Sequence, residues 1–298
     1  VVGIVCYDMS GELLFQLNAR GQGPGEYTDI NAFAVNASLH QLVIYDNMKQ
    51  SLMFYSTEDG RFVKSEKFNK PTPAEIAYWG GYFFYHNRLH RNYQDDISLH
   101  YYLLASKDGI TIGKRYFKHE NNKEDYPFSP SGHNLYDNNS KLYYCRDFDN
   151  IVYQIHEDSV VPRFRINLPN PLPASMIEER PNEMSLLRSG YSLGITDIYE
   201  YGGLLFFRFV KDGYIWSCLY NVEESKQVYC AKRIKFLDSS LIDTIDGIYK
   251  DCFYSILTPE YLDYAFSENP LEDYPDLFKT YDVEGDNPVI AFYRAVVR

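Results

Sequence analysis

Tryptophan is scarce in this chain of 298 residues, two against 29 Tyr and 19 Phe, and further absences narrow what the protein can be. No stripe of Lys and Arg is present, and the formal net charge is −12. Affinity for phosphate backbones rests on clustered basic side chains, so a nucleic-acid partner is excluded. Long apolar runs are missing as well: stretches such as "GGLLFFRFV" are broken by charge, well short of the ~20 residues of a membrane-crossing helix, so no membrane span is expected. The cysteines Cys6, Cys145, Cys218, Cys230 and Cys252 are odd in number, with no CxxC pair and no Cys/His metal spacing, which argues against a zinc site. None of the seven histidines lies in an HExxH pattern and no GxSxG elbow marks a serine nucleophile. A Ser-His-Asp triad can assemble from distant positions, but nothing positive points to one. An initiator Met and a signal peptide are also missing, and the opening "VVGIVCYD" suggests a processed or trimmed form.

What is abundant points to β structure. Tyr and Phe favour pleated, half-buried strands, and together with Trp they make up 17 % of the residues. The densest glycine run, "ARGQGPGEYTDI" (19–30), poses a choice between a phosphate cradle and a turn. A cradle needs converging backbone N–H groups at a helix start. Here Pro24 removes a donor, Glu26 would repel phosphate, and the chain continues into the strand-like "AFAVN" and "QLVIYD". Gly21, Gly23, Pro24 and Gly25 therefore read as an irregular connection between strands, with Glu26 expected to cap backbone N–H groups inside it.

Strand-like segments recur in sets of four. Residues 30–68 give "INAFAVN", "QLVIYDN", "SLMFYST" and "RFVKSEKF"; residues 75–118 give "EIAYWG", "YFFYHN", "SLHYYLLAS" and "ITIGKRYFK". Residues 133–167 and 195–234 repeat the pattern, each over about 40 residues, the length of one propeller blade. "IVCYDMSGELLFQLNA" resembles the outer two strands of another blade, and "TIDGIYKD", "CFYSILT" and "NPVIAFYRAV" resemble part of a last one. The expectation is an all-β, six-bladed β-propeller of four-stranded antiparallel blades, forming a single domain over residues 1–298. Its first blade lacks inner strands, and if they do not lie upstream the count is wrong by one.

Two insertions, 169–193 and 258–287, are expected to carry short helices near 170–190 and 259–280. The second holds nine carboxylates against one base, Lys279, and reads chiefly as a solvated surface. The hairpin "YIWSCLYNVEESKQVYC" places Cys218 opposite Cys230. A disulfide is conceivable there, and two buried thiols are the favoured reading.

In propellers the innermost strands line a channel whose mouth commonly holds the ligand. Those strands offer Asp29, Asn31, Glu75, His133, Asn134, Thr196, Asp197 and Asp246, which could ring the channel, hold calcium through oxygen ligands, hydrogen-bond a sugar, or simply face water. A second set, at the ends of the next strands, is Asp46, His86 with Arg88, Arg146 and Arg208. Arginines in strands this apolar must reach water, a carboxylate or a ligand. Salt bridges to neighbouring blades are the expected explanation. An anionic ligand is the alternative if they converge at the mouth.

"ARGQGPGEYTDINAFAVN", "LVIYDNMKQSLMFYSTEDGRFVK" and "DNPVIAFYRAV" resemble the six-bladed β-propeller proteins with NHL-like repeats found in Bacteroides and its relatives, over nearly the whole chain. The resemblance implies a cell-envelope lipoprotein, periplasmic or surface-exposed, with any lipid anchor upstream of this chain. The function expected first is a binding or interaction module that takes a glycan, a peptide or an envelope protein at the channel mouth and needs no cofactor. Tyr-rich surfaces give contact area at low entropic cost. The alternative, by analogy of fold, is a metal-dependent hydrolase or lyase with the channel carboxylates and His133 as ligands.

Overall fold

The computed structural model describes residues 3–68, 72–88, 97–119, 129–130, 132–179, 181–232, 245–268, 281–282, 285 and 288–294. The chain divides into two compact units, one of residues 1–127 with 155–161, the other of residues 128–154 with 162–298.

The first unit opens with a two-stranded hairpin, β1 (Ile4–Tyr7) and β2 (Leu13–Leu17). Blade I follows as β3 (Ala32–Asn36), β4 (Gln41–Asp46), β5 (Ser51–Ser56) and β6 (Phe62–Lys67), and blade II as β7 (Pro73–Trp79), β8 (Tyr82–Asn87), β9 (Tyr101–Ser106) and β10 (Lys114–Lys118). Each blade is an antiparallel meander. In blade I the middle strands β4 and β5 are buried almost throughout, while β6 exposes Val63, Lys64 and Ser65. Strands covered on both faces lose the polar alternation of a one-sided sheet, which is why "LVIY" and "LMFY" run apolar without a break. Val43, Tyr45, Leu52 and Phe54 pack with Ile76, Phe83, Tyr85 and Leu104 of blade II.

The second unit holds blade III, with β11 (Leu135–Asp137), β12 (Leu142–Tyr144), β13 (Ile151–Ile155) and β14 (Val160–Arg165), apart from residues 155–161. Blade IV comprises β15 (Ser192–Tyr201), β16 (Leu204–Lys211), β17 (Tyr214–Asn221) and β18 (Lys226–Ala231). Blade V has three strands, β19 (Gly247–Tyr249), β20 (Cys252–Leu257) and β21 (Val289–Tyr293). The first insertion forms two short helices, α1 (Ala174–Glu178) and α2 (Glu183–Leu187), the second α3 (Pro259–Glu268). Leu262 and Ala265 of α3 bury against Leu257, Val289 and Ala291. Residues 269–280 of the acidic insertion, and 283, 284, 286 and 287, lie outside the described residues. The inner strands β11, β15 and β19 run beside one another.

The described residues make five blades, not the six expected. Hairpin β1–β2 has the turn and alternation of half a blade, yet among the described residues its two strands pair only with each other, and it packs on the face of blade I away from blade II, where Leu17 and Ile4 join Tyr27, Ile44 and Tyr55. Two smaller differences lie in blade II. Residues Ile97–His100 form a 3-10 turn, so β9 begins at Tyr101, and β10 begins only at Lys114.

Cys218 and Cys230 are directly opposed on β17 and β18, Cα atoms 4.1 Å apart, and are joined in a disulfide rather than left as thiols. Cys6, Cys145 and Cys252 are free.

The glycine run connects β2 to β3. Glu26 accepts the Gly23 N–H at 2.7 Å, and a Cβ on Gly21 would sit 2.0 Å from the same carboxylate oxygen, so only glycine admits that side chain. The loop is clamped from the turn after β4. Asp46 accepts the Thr28 N–H (2.6 Å), the Thr28 hydroxyl (2.7 and 2.9 Å) and the Lys49 N–H (3.0 Å). Lys49 Nζ in turn donates to the Glu26 carbonyl at 2.6 Å. Burial would raise the Asp46 carboxyl, but these hydrogen bonds outweigh it and hold the group below the usual carboxylate range.

Candidate functional site

In blades I, II, III and V the candidate polar residue precedes or opens the innermost strand, whereas in blade IV Thr196 and Asp197 lie mid-strand, opposite Arg208. In the first unit these positions hold fold contacts. Asn31 donates its side-chain N–H to the Pro73 carbonyl at 2.7 Å, tying blade I to blade II, and Asp29 is exposed. Glu75 is half-buried opposite His86. His86 is 2 % exposed. Burial, then the charges of Arg88 and His119, push its imidazole down to about 3, so it stands neutral in the core.

In the second unit, Asn134 is buried and donates to the Cys145 carbonyl (2.9 Å) and to Asp147 Oδ1 (3.2 Å), while His133 is exposed and its carbonyl accepts the Tyr136 hydroxyl. Arg146 binds Asp149 through Nε and Nη2 at 3.1 and 2.7 Å. Arg208 binds Asp197 through Nε at 2.7 Å. Both arginines pair inside their own blade, not with a neighbouring blade as expected, because a carboxylate three residues on or on the adjoining strand is within reach. The ion pairs that do cross blades belong to a residue not singled out in the sequence. Glu200 at the end of β15 accepts from Lys141 Nζ (2.9 Å), Arg163 Nη2 (3.0 Å) and the Tyr143 hydroxyl.

The Asp197–Arg208 pair sits on a distorted strand. Register slips twice along β15, between Ser192 and Ile195 and between Thr196 and Tyr199. Gly194 has φ +104°, and a Cβ there would meet the Phe148 Cα at 2.8 Å. Asp197 takes φ +53°, a left-handed conformation in which Asp and Asn are enriched among non-glycine residues. Bulges of this kind re-aim a side chain. Here they direct Asp197 Oδ2 at Arg208 Nε and at the Thr196 hydroxyl (3.0 Å), which also lies 3.4 Å from the Tyr136 hydroxyl. The pair is largely buried, with side-chain exposures of 12 % for Asp197 and 19 % for Arg208. Only Oδ2 and Nε are engaged. Asp197 Oδ1 and the two terminal nitrogens of Arg208 have no partner among the described residues.

Blade V brings Asp246 to the same neighbourhood. Its carbonyl accepts the Tyr199 hydroxyl at 2.9 Å and its carboxylate accepts the Ile256 N–H at 2.7 Å. Burial raises Tyr199 well above the ordinary phenol range, with the charges of Asp197 and Asp246 adding to it. Burial and Asp246 likewise raise Tyr254, and they push Tyr293 up to about 12 against a hydrogen bond from Ser255. With 29 Tyr in the chain, nothing in the sequence marks these three. Their signal is positional: Tyr199 lies on the innermost strand of blade IV, and Tyr254 and Tyr293 lie on the second and third strands of blade V.

The donors do not fit a metal. His133 lies exposed, Asp197 is taken up by Arg208 and Thr196, and among the described residues no group of three His, Cys, Asp or Glu side chains is placed to hold an ion. No helix among them is long and apolar enough to cross a membrane.

A family model described as a domain of unknown function, DUF4934, matches residues 2–294. The chain belongs to the DUF4934 family. Among curated proteins none matches it. Of solved structures, a Bacteroides fragilis protein assigned by inference as exported is similar over 97 % of this chain and 84 % of its own, at 17 % identity and a TM-score of 0.77. A member of the DUF4221 family from Bacteroides vulgatus aligns over 77 % of this chain and 74 % of its own, at 10 % identity and a TM-score of 0.48, too distant to argue from. The first likeness speaks to fold alone. It agrees with the strand order, which is that of a β-propeller built from antiparallel blades.

Proposed function

We propose that this protein is an envelope-associated binding module, one functional domain over residues 1–298, whose ligand seats on the Asp197–Arg208 pair beside Thr196 and Asp246. One observation carries the reading: a largely buried ion pair held on a doubly bulged inner strand, with three of its five hydrogen-bonding atoms unengaged among the described residues. The unengaged atoms are not sealed in the core, so they stand open to a ligand arriving from solvent. The single-domain reading is supported by a family match that runs unbroken from 2 to 294. Envelope location is supported by the structural likeness to a protein assigned as exported and by the Cys218–Cys230 disulfide, a bond typical of oxidising compartments. A metal-dependent hydrolase is not retained, because the described residues bring no such ligand set together.

The test is a binding screen of the purified protein against glycans and synthetic peptides, run beside Arg208→Ala. A ligand that binds the parent protein and is lost from the variant, at equal fold content by circular dichroism, supports the site. A ligand held equally by both proteins, or none in either class, overturns it.

A further inference from the structure

We infer that the ligand of this site is a neutral sugar, recognised through a pair of hydroxyl groups; the inference rests on the site proposed above and names the chemistry it accepts. The free atoms are one carboxylate oxygen and a two-nitrogen fork, an acceptor beside donors, on a pair whose charges cancel. An anionic ligand reaching the Arg208 fork would face Asp197 at hydrogen-bond range and Asp246 beyond it. Like charges within ~4–6 Å disfavour one another strongly where water is excluded. A cation drawn to Asp197 would meet Arg208 in the same way. A hydroxyl both donates and accepts. Two neighbouring hydroxyls on a pyranose ring can therefore give a proton to Asp197 Oδ1 and accept from the Arg208 fork, with no charge left uncompensated. Sites built to hydrogen-bond a hydroxyl discriminate against ligands lacking it, because those hydrogen bonds are then not made.

The experiment is isothermal titration with three probes: neutral gluco-, manno- and xylo-oligosaccharides, the same chains ending in a uronic acid, and a lysine-rich hexapeptide. Each is run on the parent protein, on Asp197→Asn and on Arg208→Lys. Asn keeps the left-handed backbone and the shape of Asp197 but removes its charge. The expected result is that a neutral oligosaccharide binds the parent protein best. Asp197→Asn should weaken it by about tenfold or more, a charged hydrogen bond's share of affinity, and should improve the uronate-ended chain relative to it. Arg208→Lys should weaken the neutral sugar without that reversal. If the peptide or the uronate chain binds the parent best and is lost from Arg208→Lys, the site stands and the sugar class is wrong. If the neutral sugar binds all three proteins alike, it sits elsewhere and both the site and the class fall. If none of the neutral sugars binds the parent protein, the inference is overturned, and the site itself is then decided by the Arg208→Ala screen.

Discussion

Asp46 in blade I and Asp197 in blade IV are both buried carboxylates at the junction of an inner strand with its neighbour, and they are treated in opposite ways. Both oxygens of Asp46 accept hydrogen bonds, from Thr28 and Lys49, and every partner lies in the two turns it joins. Asp197 uses one oxygen and leaves the other, together with the Arg208 fork, without a partner among the described residues. A saturated carboxylate holds backbone in place. An unsaturated one, on a strand bulged to present it, is what the proposed ligand site makes use of.

The comparison can be broken by removing each carboxylate. Asp46→Ala strands two buried N–H groups and frees the glycine loop, and should cost about 2–4 kcal/mol in urea unfolding while leaving sugar affinity unchanged. Asp197→Asn should cost no more than about 1 kcal/mol, because Asn still accepts from Arg208. Equal losses at the two positions would mean that Asp197 is scaffold as well.

Acid separates them less sharply. The folded-state pKa of Asp46 is lowered, so its contribution is fully present above the unfolded value near ~4 and is lost as pH falls through the lower folded value. His86, depressed to about 3, acts over a wider window. The unfolded chain takes up its proton below ~6.5 while the folded one does not, so stability declines by up to about tenfold in the folding constant per pH unit on the way down. Melting curves from pH 7 to pH 2.5 should therefore fall in two stages, a gradual one from His86 and a steeper one below pH ~4 that is reduced in Asp46→Asn. A melting temperature flat from pH 7 to 4 would show that His86 is not buried neutral. The smallest expected effect is that of Glu26→Ala, about 1 kcal/mol from one lost N–H cap, with ligand binding intact; an unchanged melt would remove Glu26 from the clamp.

The blades were legible because each repeats the same sequence of chemistry. In blade I an alternating inner strand is followed by two strands covered on both faces and then by a charged outer strand, and an Asp-Gly turn between the last two marks the register. Hairpin β1–β2 misled because period and turn are properties of two strands, whereas a blade is defined by the strands that pair with them, and pairing leaves no trace in a short segment. The Cys218–Cys230 alignment was readable from the hairpin for the same reason, but the choice between bond and thiols was not, since composition does not reveal redox state. At the site, Thr196, Asp197 and Asp246 could be placed by their position on inner strands. The bulges that turn Asp197 toward Arg208 depend on the Phe148 backbone pressing on Gly194, a contact between residues far apart in sequence. The three tyrosines around Asp246 were hidden by their abundance.

The bond between Cys218 and Cys230 has a kinetic side. Strand β18 is the outermost strand of blade IV and would be the first to fray, since only one neighbour holds it. Stapled to the middle of β17 through its penultimate residue, it cannot leave the blade alone, so amide exchange around the bond must await the opening of both strands together. A protease or a foreign strand that depends on a loosened sheet edge finds none at this rim of the protein. That is a useful property in the envelope location proposed above.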